Sequence, residues 1–378
     1  MTRLRVGCAL ALLLLGCGHT NSAQHAAELP PADPVAVRAF VAGVRLMRSG
    51  NRARSRSARA RFERALSIDP NLWEAHYNLG VLDRRAGELT RAIAHFQAAR
   101  AIQPAAVEPL RALAESKAAS GEVGGAVDLL EDLVRAHPDD ADARVSLAAL
   151  NRRQGRYRPA LEQAREVLIR DPQNRRALLE VGRVYRARER LDVAELVFQK
   201  AFALTDESDG AERAEIRNEQ GLVDLARGDT QAAFQRFDEA LTLDSSFSPA
   251  HINEASVLLA AGDYEGAKGH YEALLSGDSA NVDARIGLAI CLRGLGHPRQ
   301  ALREYNRVLE AHPGNVDAIF DLGVLEAEFL DRRPRARERF VRFLELAPSD
   351  HPMREVAERY LQEIPAPAPR PRHRRRSR

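Results

Sequence analysis

The stretch Trp73-Glu-Ala-His-Tyr-Asn-Leu-Gly80 decides the fold, because its residue types recur along most of the chain. It leads into Ala92, Phe96, Ala99 and Pro104. The alanine returns at spacings of 34, 34, 34, 34, 39, 34, 34 and 35 residues, in the column Ala58, Ala92, Ala126, Ala160, Ala194, Ala233, Ala267, Ala301 and Ala336. Four residues after these alanines stand Phe62, Phe96, Leu130, Ala164, Phe198, Phe237, Tyr271, Tyr305 and Phe340. Twelve residues before the alanine, from Ala92 onward, stand Gly80, Ala114, Ala148, Gly182, Gly221, Ala255 and Ala289, and Gly323 stands thirteen residues before Ala336. A period of this length indicates an array of structural repeats.

Each column has a physical reason. Small residues let two antiparallel helices approach closely, and the aromatic residue four positions on lies on the same helical face and fills the seam. Glycines with positive φ are expected in the turn between the two helices, at Gly87, Gly121, Gly155, Gly228, Gly262 and Gly296. Proline ends the second helix, because it cannot continue the hydrogen-bond ladder. One helix pair cannot bury its apolar stripe alone, so neighbouring pairs are predicted to stack.

The pattern resembles the tetratricopeptide repeat (TPR), and the resemblance covers roughly residues 39–350. It implies an all-α, right-handed superhelical solenoid of about nine helix-turn-helix repeats. We place the TPR array at 35–350, with repeats near 35–72, 73–106, 107–140, 141–174, 175–208, 214–247, 248–281, 282–315 and 316–350. A further helical pattern predicts a capping helix at 351–364, and a Pro/Arg-rich disordered tail follows at 365–378.

Three departures from the period carry further expectations. Repeat one is predicted to have a long basic loop, Gly50–Ser57, between its helices. Five extra residues near Glu207–Gly210 predict a hinge or surface loop between repeats five and six. In repeat nine, Asp331 takes the place of the turn glycine.

The amino-terminal segment has the pattern of an export signal. Arg3 and Arg5 precede the apolar run Val6–Leu15, which is too short to span a bilayer. The sequence Leu14-Leu15-Gly16-Cys17 resembles the lipobox of bacterial lipoproteins, and an ordinary signal peptide with a chance Gly-Cys is the alternative. The resemblance implies a signal peptide at 1–16, lipidation of Cys17 and a flexible tether at 17–34. Because Gly18 rather than Asp follows the cysteine, it also implies an outer-membrane anchor facing the periplasm.

Composition and motifs point away from an enzyme. The 378 residues are 45% hydrophobic and 29% charged, which excludes wholesale disorder. Only 5% are aromatic, which is few for a β-sandwich, a barrel or a platform that stacks sugars or bases. Three cysteines exclude a disulfide framework and a Cys-rich zinc site. The sequence has no phosphate-binding loop, no His-Glu-x-x-His and no Gly-x-Ser-x-Gly. We therefore predict no catalytic residue, no cofactor and no metal.

Two further sites have a structural interpretation and a functional one. His251 and His270 are expected to approach each other within repeat seven, and a packed or surface pair is favoured over a metal site. Cys291 stands in the run Gly-Leu-Ala-Ile-Cys-Leu and is predicted to be a buried, small apolar residue rather than a reactive thiol.

The resemblance also implies a binding groove lined by the first helix of each repeat, chiefly its positions 2, 5, 6, 9, 12 and 13. In repeats two to five these positions supply a basic, mixed-charge lining of Tyr77, Asn78, Arg84, Arg85, Arg111, Arg152, Arg153, Arg183 and Arg186. In repeats six to nine they supply a more apolar lining of Leu222, Leu225, Ile252, Asn253, Leu259, Ile286, Ile290 and Phe320. The hypothesis is that the arginines take acidic side chains or a carboxylate and the apolar half takes a helix or extended segment. The alternative is that the apolar residues only complete packing between repeats.

Two basic elements flank the array. The segment Arg38–Arg61 contains eight arginines and no acid, and the tail carries six arginines from Arg370 to Arg378. Both are candidates for binding anionic lipid or polymer, with a solvated face and an inert tail as the alternatives. Binding to nucleic acid is not expected, because the predicted export argues against it.

Together these features predict a non-catalytic scaffold. The resemblance is to TPR lipoproteins that bind other envelope proteins during assembly of an envelope machine for gliding motility, pili or secretion. A regulator or adaptor that docks cell-wall synthases, hydrolases or proteases is the alternative.

Overall fold

The computed structural model describes residues 31–47 and 52–364, with only the backbone described at 52 and 53. Across these ranges the regular elements are all α-helices, and no strand occurs in them. The predicted signal peptide, Cys17, most of the tether and the Arg-rich tail lie outside the described residues. Within the part that the structure describes, no helix has the length and apolarity needed to cross a membrane.

The chain forms two units that divide between Arg190 and Leu191. The helices of the first unit are α1 (Pro34–Met47), α2 (Arg52–Ile68), α3 (Trp73–Arg85), α4 (Leu89–Ile102), α5 (Val107–Ala119), α6 (Val123–Ala136), α7 (Ala141–Arg153), α8 (Tyr157–Arg170) and α9 (Arg175–Ala187). Those of the second are α10 (Leu191–Ala203), α11 (Gly210–Arg227), α12 (Thr230–Leu243), α13 (Ser248–Ala261), α14 (Tyr264–Gly277), α15 (Val282–Gly294), α16 (Pro298–Ala311), α17 (Val316–Glu328), α18 (Arg333–Leu346) and α19 (Arg354–Glu363). Within each unit, helices that follow one another in sequence pack together, as the repeat pattern predicts.

The repeated alanines form the centre of each helix pair. All nine alanines of the column, from Ala58 to Ala336, have no exposed surface. The residues four positions later are buried as well, and of these Tyr271 is the most exposed, at 8%. A column of methyl groups beside a column of rings therefore builds the seam, and the predicted core is confirmed.

The small residue of the first helix is required by the ring opposite it. A Cβ atom added to Gly80 would lie 2.6 Å from Cε1 of Phe96, and one added to Gly221 would lie 2.5 Å from Cε1 of Phe237. These distances are shorter than carbon atoms tolerate, so at these positions the ring packs directly on the helix backbone.

In repeats two to nine, the turn between the paired helices contains a residue with positive φ. Six of them use the predicted glycines, with φ from +72° at Gly155 to +91° at Gly121. Asp331 takes the same conformation in repeat nine, with φ +49°, and Glu189 does so in repeat five, with φ +58°. The role of Glu189 was not predicted, because glutamate rarely adopts this region.

One loop prediction was wrong, and the other is confirmed in part. The basic stretch assigned to the loop Gly50–Ser57 is helical from Arg52, where α2 begins. Between α10 and α11, residues 204–209 form the predicted surface loop, in which Glu207 and Ser208 are exposed. Part of the extra length also lies in α11, which begins at Gly210 and has 18 residues. The two units divide earlier, after Arg190.

The carboxyl-terminal helix α19 covers the last repeat. The ring of Tyr360 stacks on Phe340 with centroids 4.6 Å apart and planes 7° apart. Arg337 on α18 donates from Nη1 to the carbonyl oxygens of Leu361, at 2.9 Å, and Ile364, at 2.6 Å. Helix α19 thereby covers the apolar face of α18, and Arg337 supplies hydrogen bonds to carbonyl groups at the end of α19.

Candidate protein-interaction surface

The first helices of repeats two to five, α3, α5, α7 and α9, lie side by side in the first unit and are called here the first-helix row. Asparagine and aspartate place the starts of the later two. The Asp140 side chain accepts from the Ala143 amide at 2.9 Å, and Asn174 accepts from the Ala177 amide at 3.0 Å. These N-caps satisfy amides that have no partner inside the helix.

Ion pairs connect each helix of the row to the next. Arg84 on α3 pairs with Glu115 on α5. Arg111 on α5 pairs with Asp142 on α7 at 3.1 Å. The carboxylate of Asp142 is also 2.6 Å from Arg176 on α9. Most of the positive charge predicted for this surface is thus neutralised within the row.

The last step of the row has a buried carboxylate at its centre. Glu180 on α9 has a side chain only 5% exposed. Its two oxygens accept from Arg152 Nε at 2.9 Å and from Arg183 Nη1 at 2.8 Å. Arg152 therefore supports the packing of α7 on α9, while Arg183 pairs with Glu180 within α9. The charge of neither arginine is available to a ligand in full.

Two predicted arginines remain open to solvent. Arg85 on α3 and Arg153 on α7 are exposed and make no ion pair with any described residue. They occupy the same position in repeats two and four, at the carboxyl end of their helices. Arg186 on α9 is half-buried. The row therefore presents two exposed guanidinium groups, those of Arg85 and Arg153, that no described carboxylate neutralises.

The other two predicted residues on α3 face inward. Asn78 is buried, and its Nδ2 donates to the Glu74 carbonyl at 2.7 Å. The ring of Tyr77 packs on Phe96 with centroids 5.7 Å apart, and burial raises the pKa of its hydroxyl. Asn78 is thus occupied within its own helix, whereas Tyr77 keeps a partly open ring.

In the second unit the predicted apolar lining is largely packing. Ile286 and Phe320 are each 8% exposed. The remaining leucine and isoleucine side chains lie partly buried against the repeat cores, namely Leu222, Leu225, Leu259 and Ile290. Of the predicted apolar residues, Ile252 on α13 stands out at 46% exposed. This arrangement favours the alternative that the apolar residues complete packing between repeats.

A polar contact accompanies Ile252. Asn253 on α13 donates from Nδ2 to Oδ1 of Asn218 on α11 over 2.7 Å. The predicted groove residue therefore connects two first helices, as the ion pairs do in the first unit.

Two models of the tetratricopeptide repeat match the sequence. One matches residues 83–150 and 258–322, and the other matches 45–107 and 151–209, so that together they cover more than half of the chain. The chain is a tetratricopeptide repeat protein.

Several solved structures are similar to this chain. The TPR protein described here is similar to a chain of the Cut9–Hcn1 hetero-tetramer of the APC/C, with 14% identity, a TM-score of 0.52, and coverage of 93% of this chain and 80% of that one. It is also similar to pilF of Pseudomonas aeruginosa, with 20% identity, a TM-score of 0.43, and coverage of 56% and 94%. YrrB, titled a TPR protein with an unusual peptide-binding site, matches with 18% identity, a TM-score of 0.36, and coverage of 50% and 95%. A sequence search of curated proteins finds no match.

Repeat one of this TPR protein has a basic surface. Its two helices expose six arginines that form no ion pair with described residues: Arg38, Arg45, Arg54, Arg56, Arg61 and Arg64. Arg59 differs, because it forms an ion pair with the fully buried Asp83 of repeat two. One arginine of the predicted basic segment thus supports the fold, and the exposed ones form an unneutralised surface.

Among the described residues, no group of three or more His, Cys, Asp and Glu side chains is placed to hold a metal ion. Cys291 is fully buried, as predicted, and burial raises the pKa of its thiol to about 11. A thiol with so high a pKa is a poor nucleophile at neutral pH.

Sequence reasoning missed the partners of the arginines. The carboxylates of Asp83 and Glu180 were either passed over or treated as part of a mixed lining, although each supports a pair of basic residues. For another pair, Arg84 and Glu115, the spacing was an available signal. Arg84 precedes Glu115 by 31 residues, which is close to one repeat.

Proposed function

We propose that this TPR protein is a non-catalytic scaffold that captures envelope proteins on its first-helix row, while lipid on Cys17 holds it at the periplasmic face of the outer membrane. The observation that carries the proposal is the pair Arg85 and Arg153, exposed and unneutralised on a row whose other arginines are largely tied to carboxylates. Tetratricopeptide repeats are protein-interaction scaffolds, and exposed guanidinium groups pair with carboxylates in a bidentate manner. An acidic segment of a partner is therefore the expected ligand.

Support for the anchor comes from the sequence before α1. Leu14-Leu15-Gly16-Cys17 follows a basic and apolar leader of the kind that directs export. The exposed arginines of α1 and α2 follow the proposed tether closely. Each cation near an anionic lipid surface contributes roughly 1 kcal/mol. We expect anionic lipid to hold repeat one near the membrane, and the arginine-rich tail is a second basic element that lipid or an anionic polymer would attract.

The process proposed for the scaffold is assembly of an envelope machine, with gliding motility, pilus formation and secretion as the candidates. The alternative is an adaptor that docks cell-wall synthases, hydrolases or proteases to their substrates. The two differ in the partners they require, so identification of partners decides between them.

The anchor is tested by replacing its acceptor. Cys17→Ser should leave a folded protein that no longer fractionates with the outer membrane, whereas a control substitution at Cys8 should not change its location. Unchanged outer-membrane fractionation of Cys17→Ser would remove the anchor from the proposal without touching the scaffold.

The scaffold is tested by crosslinking in intact cells, purification of the tagged protein and mass spectrometry. Recovery of motility, pilus or secretion components would support the first process, and recovery of cell-wall enzymes would support the adaptor. Purification without a reproducible partner would contradict both.

A further inference from the structure

Two histidine pairs occupy equivalent places in repeats two and seven. The Nδ1 atoms of His76 and His95 are 3.1 Å apart, and those of His251 and His270 are 2.9 Å apart. In each pair the second histidine follows the first by 19 residues, so that one ring comes from the first helix and the other from the second. The sequence predicted the approach in repeat seven and missed the one in repeat two.

The two positions, one on each helix of a repeat and 19 residues apart, are called here the slot. Other repeats have different residues in it. In repeat four, Arg144 donates to Gln163 at 2.7 Å, and in repeat eight, Arg285 donates to Glu304 at 2.9 Å. In repeat three the slot holds two leucines, Leu110 and Leu129, which pack against one core cluster. The residues of the slot therefore hold the two helices of a repeat together. A histidine pair is one of several residue pairs that make this contact.

The two rings of each pair meet nitrogen to nitrogen. The ring centroids are 5.4 Å apart in repeat two and 5.2 Å apart in repeat seven. Each value equals the Nδ1–Nδ1 distance plus about one ring radius on each side, so the two Nδ1 atoms point at each other. Such geometry is that of an N–H···N hydrogen bond with one donor and one acceptor. The bond survives the addition of one proton to the pair, but a second proton would set two N–H groups against each other.

In repeat two the nearest carboxylate is already neutralised. Asp83 is fully buried and pairs with Arg59 and with Arg91, the latter at 3.2 Å. The Nε2 of His95 lies 3.7 Å from the same carboxylate. The charge of Asp83 is therefore shared among three basic groups, and it compensates a proton on His95 only in part.

Burial acts in the same direction. Burial is the main cause that lowers the pKa of both His76 and His95. Positive charge nearby lowers both pKa values further, and for His76 that charge is on His95. For His95 the positive neighbours are Arg59 and Arg91, and Asp83 and Glu63 oppose them. Because the folded-state pKa is below the unfolded value, the contribution of the pair to stability is complete above the unfolded pKa. It is lost as the pH falls from about 6.5 through the folded-state values.

Repeat seven has a different carboxylate beside its pair. Glu254 is buried, makes no ion pair with an arginine among the described residues, and lies 3.9 Å from Nε2 of His270. Burial, together with the charge of Asp238, raises the pKa of Glu254 to about 7. The Nε2 of His251 donates to the Ser245 carbonyl at 3.1 Å, which leaves its Nδ1 to accept from His270.

The two slots should therefore respond differently to acid. In repeat seven, burial and His251 lower the pKa of His270, while Asp238 opposes them. As the pH falls through neutrality, Glu254 takes up a proton and loses its uncompensated charge, which stabilises the folded state. That gain offsets the loss from the histidines. In repeat two the carboxylate beside the pair, Asp83, is held as an ion pair instead. Burial also raises the pKa of Glu74 at the start of α3, but Glu74 is not among the charges that shift the pKa of either histidine.

We propose that the His76–His95 pair closes repeat two at neutral pH and loosens it in mildly acidic solution, so that the first-helix row is sensitive to acid at α3. The residues affected first are those that α3 contributes to the row, Tyr77, Arg84 and Arg85. This regulation goes beyond the proposed scaffold function and does not depend on the anchor or on any partner.

Hydrogen exchange of the full chain tests the proposal. Exchange in the α3 and α4 peptides, corrected for the intrinsic effect of pH, should increase between pH 7.5 and 5.5. The increase should be about tenfold per pH unit for each proton taken up on opening. The α5 and α6 peptides, whose slot holds Leu110 and Leu129, should not change.

Matched variants come from the other repeats of the chain. The double substitution His76→Leu/His95→Leu copies repeat three, and His76→Arg/His95→Gln copies repeat four. Either variant that keeps the helical circular dichroism of the wild type should lose the acid response, while His251→Leu/His270→Leu should retain it at α3 and α4. No acid-induced exchange in the wild type, or the same increase in a folded repeat-two variant, would overturn the proposal.

Discussion

Arg152 on α7 donates from Nε to Glu180 on α9 over 2.9 Å, and that carboxylate also accepts from Arg183. A side chain expected to meet a partner thus connects two repeats of its own chain. The neighbouring Arg153 has no such contact with any described residue and is exposed. Two adjacent arginines therefore have separate roles, one in the array and one at its surface.

This difference predicts unequal effects on stability. Arg152→Ala removes one of the two donors to a nearly buried carboxylate and should lower the free energy of unfolding by about 1–3 kcal/mol. Arg153→Ala should change it by no more than about 0.5 kcal/mol. Urea denaturation followed by circular dichroism measures both, and equal losses would show that the Glu180 pairs do not support the fold.

The glycine of the first helix gives a second prediction. Gly80→Ala would place a methyl group 2.6 Å from the ring of Phe96 and should cost about 1–3 kcal/mol of stability through overpacking. Gly124→Ala on α6 is the control, because nothing lies within 4 Å of its added Cβ. That change should stabilise the protein by up to about 1 kcal/mol, through the better helix propensity of alanine. A neutral Gly80→Ala would contradict the tight seam.

The turn in repeat five predicts a stabilising substitution. Glu189 has φ +58°, a conformation that glycine adopts without a steric penalty. Glu189→Gly should therefore raise the thermal unfolding midpoint, with a gain of up to about 1 kcal/mol. Glu189→Ala should not, since alanine keeps the strain. In the mirror experiment, Gly155→Ala should lower the midpoint, because φ is +72° there.

Glu254 predicts a pH dependence of opposite sign to that of the histidines. Because its pKa is raised to about 7 from the ordinary 4.5, ionisation opposes folding, and stability falls as the pH rises through that value. Glu254→Gln should raise the unfolding midpoint at pH 8 and leave it nearly unchanged at pH 4.5. A thermal scan series at these pH values measures the difference, and a constant offset across the series would contradict the assignment.

The sequence predicted the parts of the fold that depend on one repeat. The buried positions of Ala92 and Phe96 and the positive φ of Gly87 follow from spacing within a helix pair. Such contacts are local, so their period is visible in one sequence. The start of α2 at Arg52 was also accessible, because no proline stands between Arg52 and Ala58 and arginine and alanine favour helix.

The surface was predicted less well, because its contacts join different repeats. Whether Arg84 meets solvent or Glu115 depends on how α5 packs on α3, which the periodicity does not give. Likewise, His76 and His95 are not part of the repeated columns, and their rings meet only because α3 and α4 pack together. A search for complementary residues one repeat apart, or 19 residues apart, would have found both kinds of contact.

The central claim is that the first-helix row binds partner proteins, and photo-crosslinking from single positions tests it most directly. A crosslinkable residue at Arg153 on the row is compared with one at Arg165, an exposed position on α8, the second helix of the same repeat. The account predicts discrete protein adducts at Arg153, none at Arg165, and loss of the adducts when Arg85→Glu is added. No adduct at Arg153, or the same adducts at both positions, would contradict it.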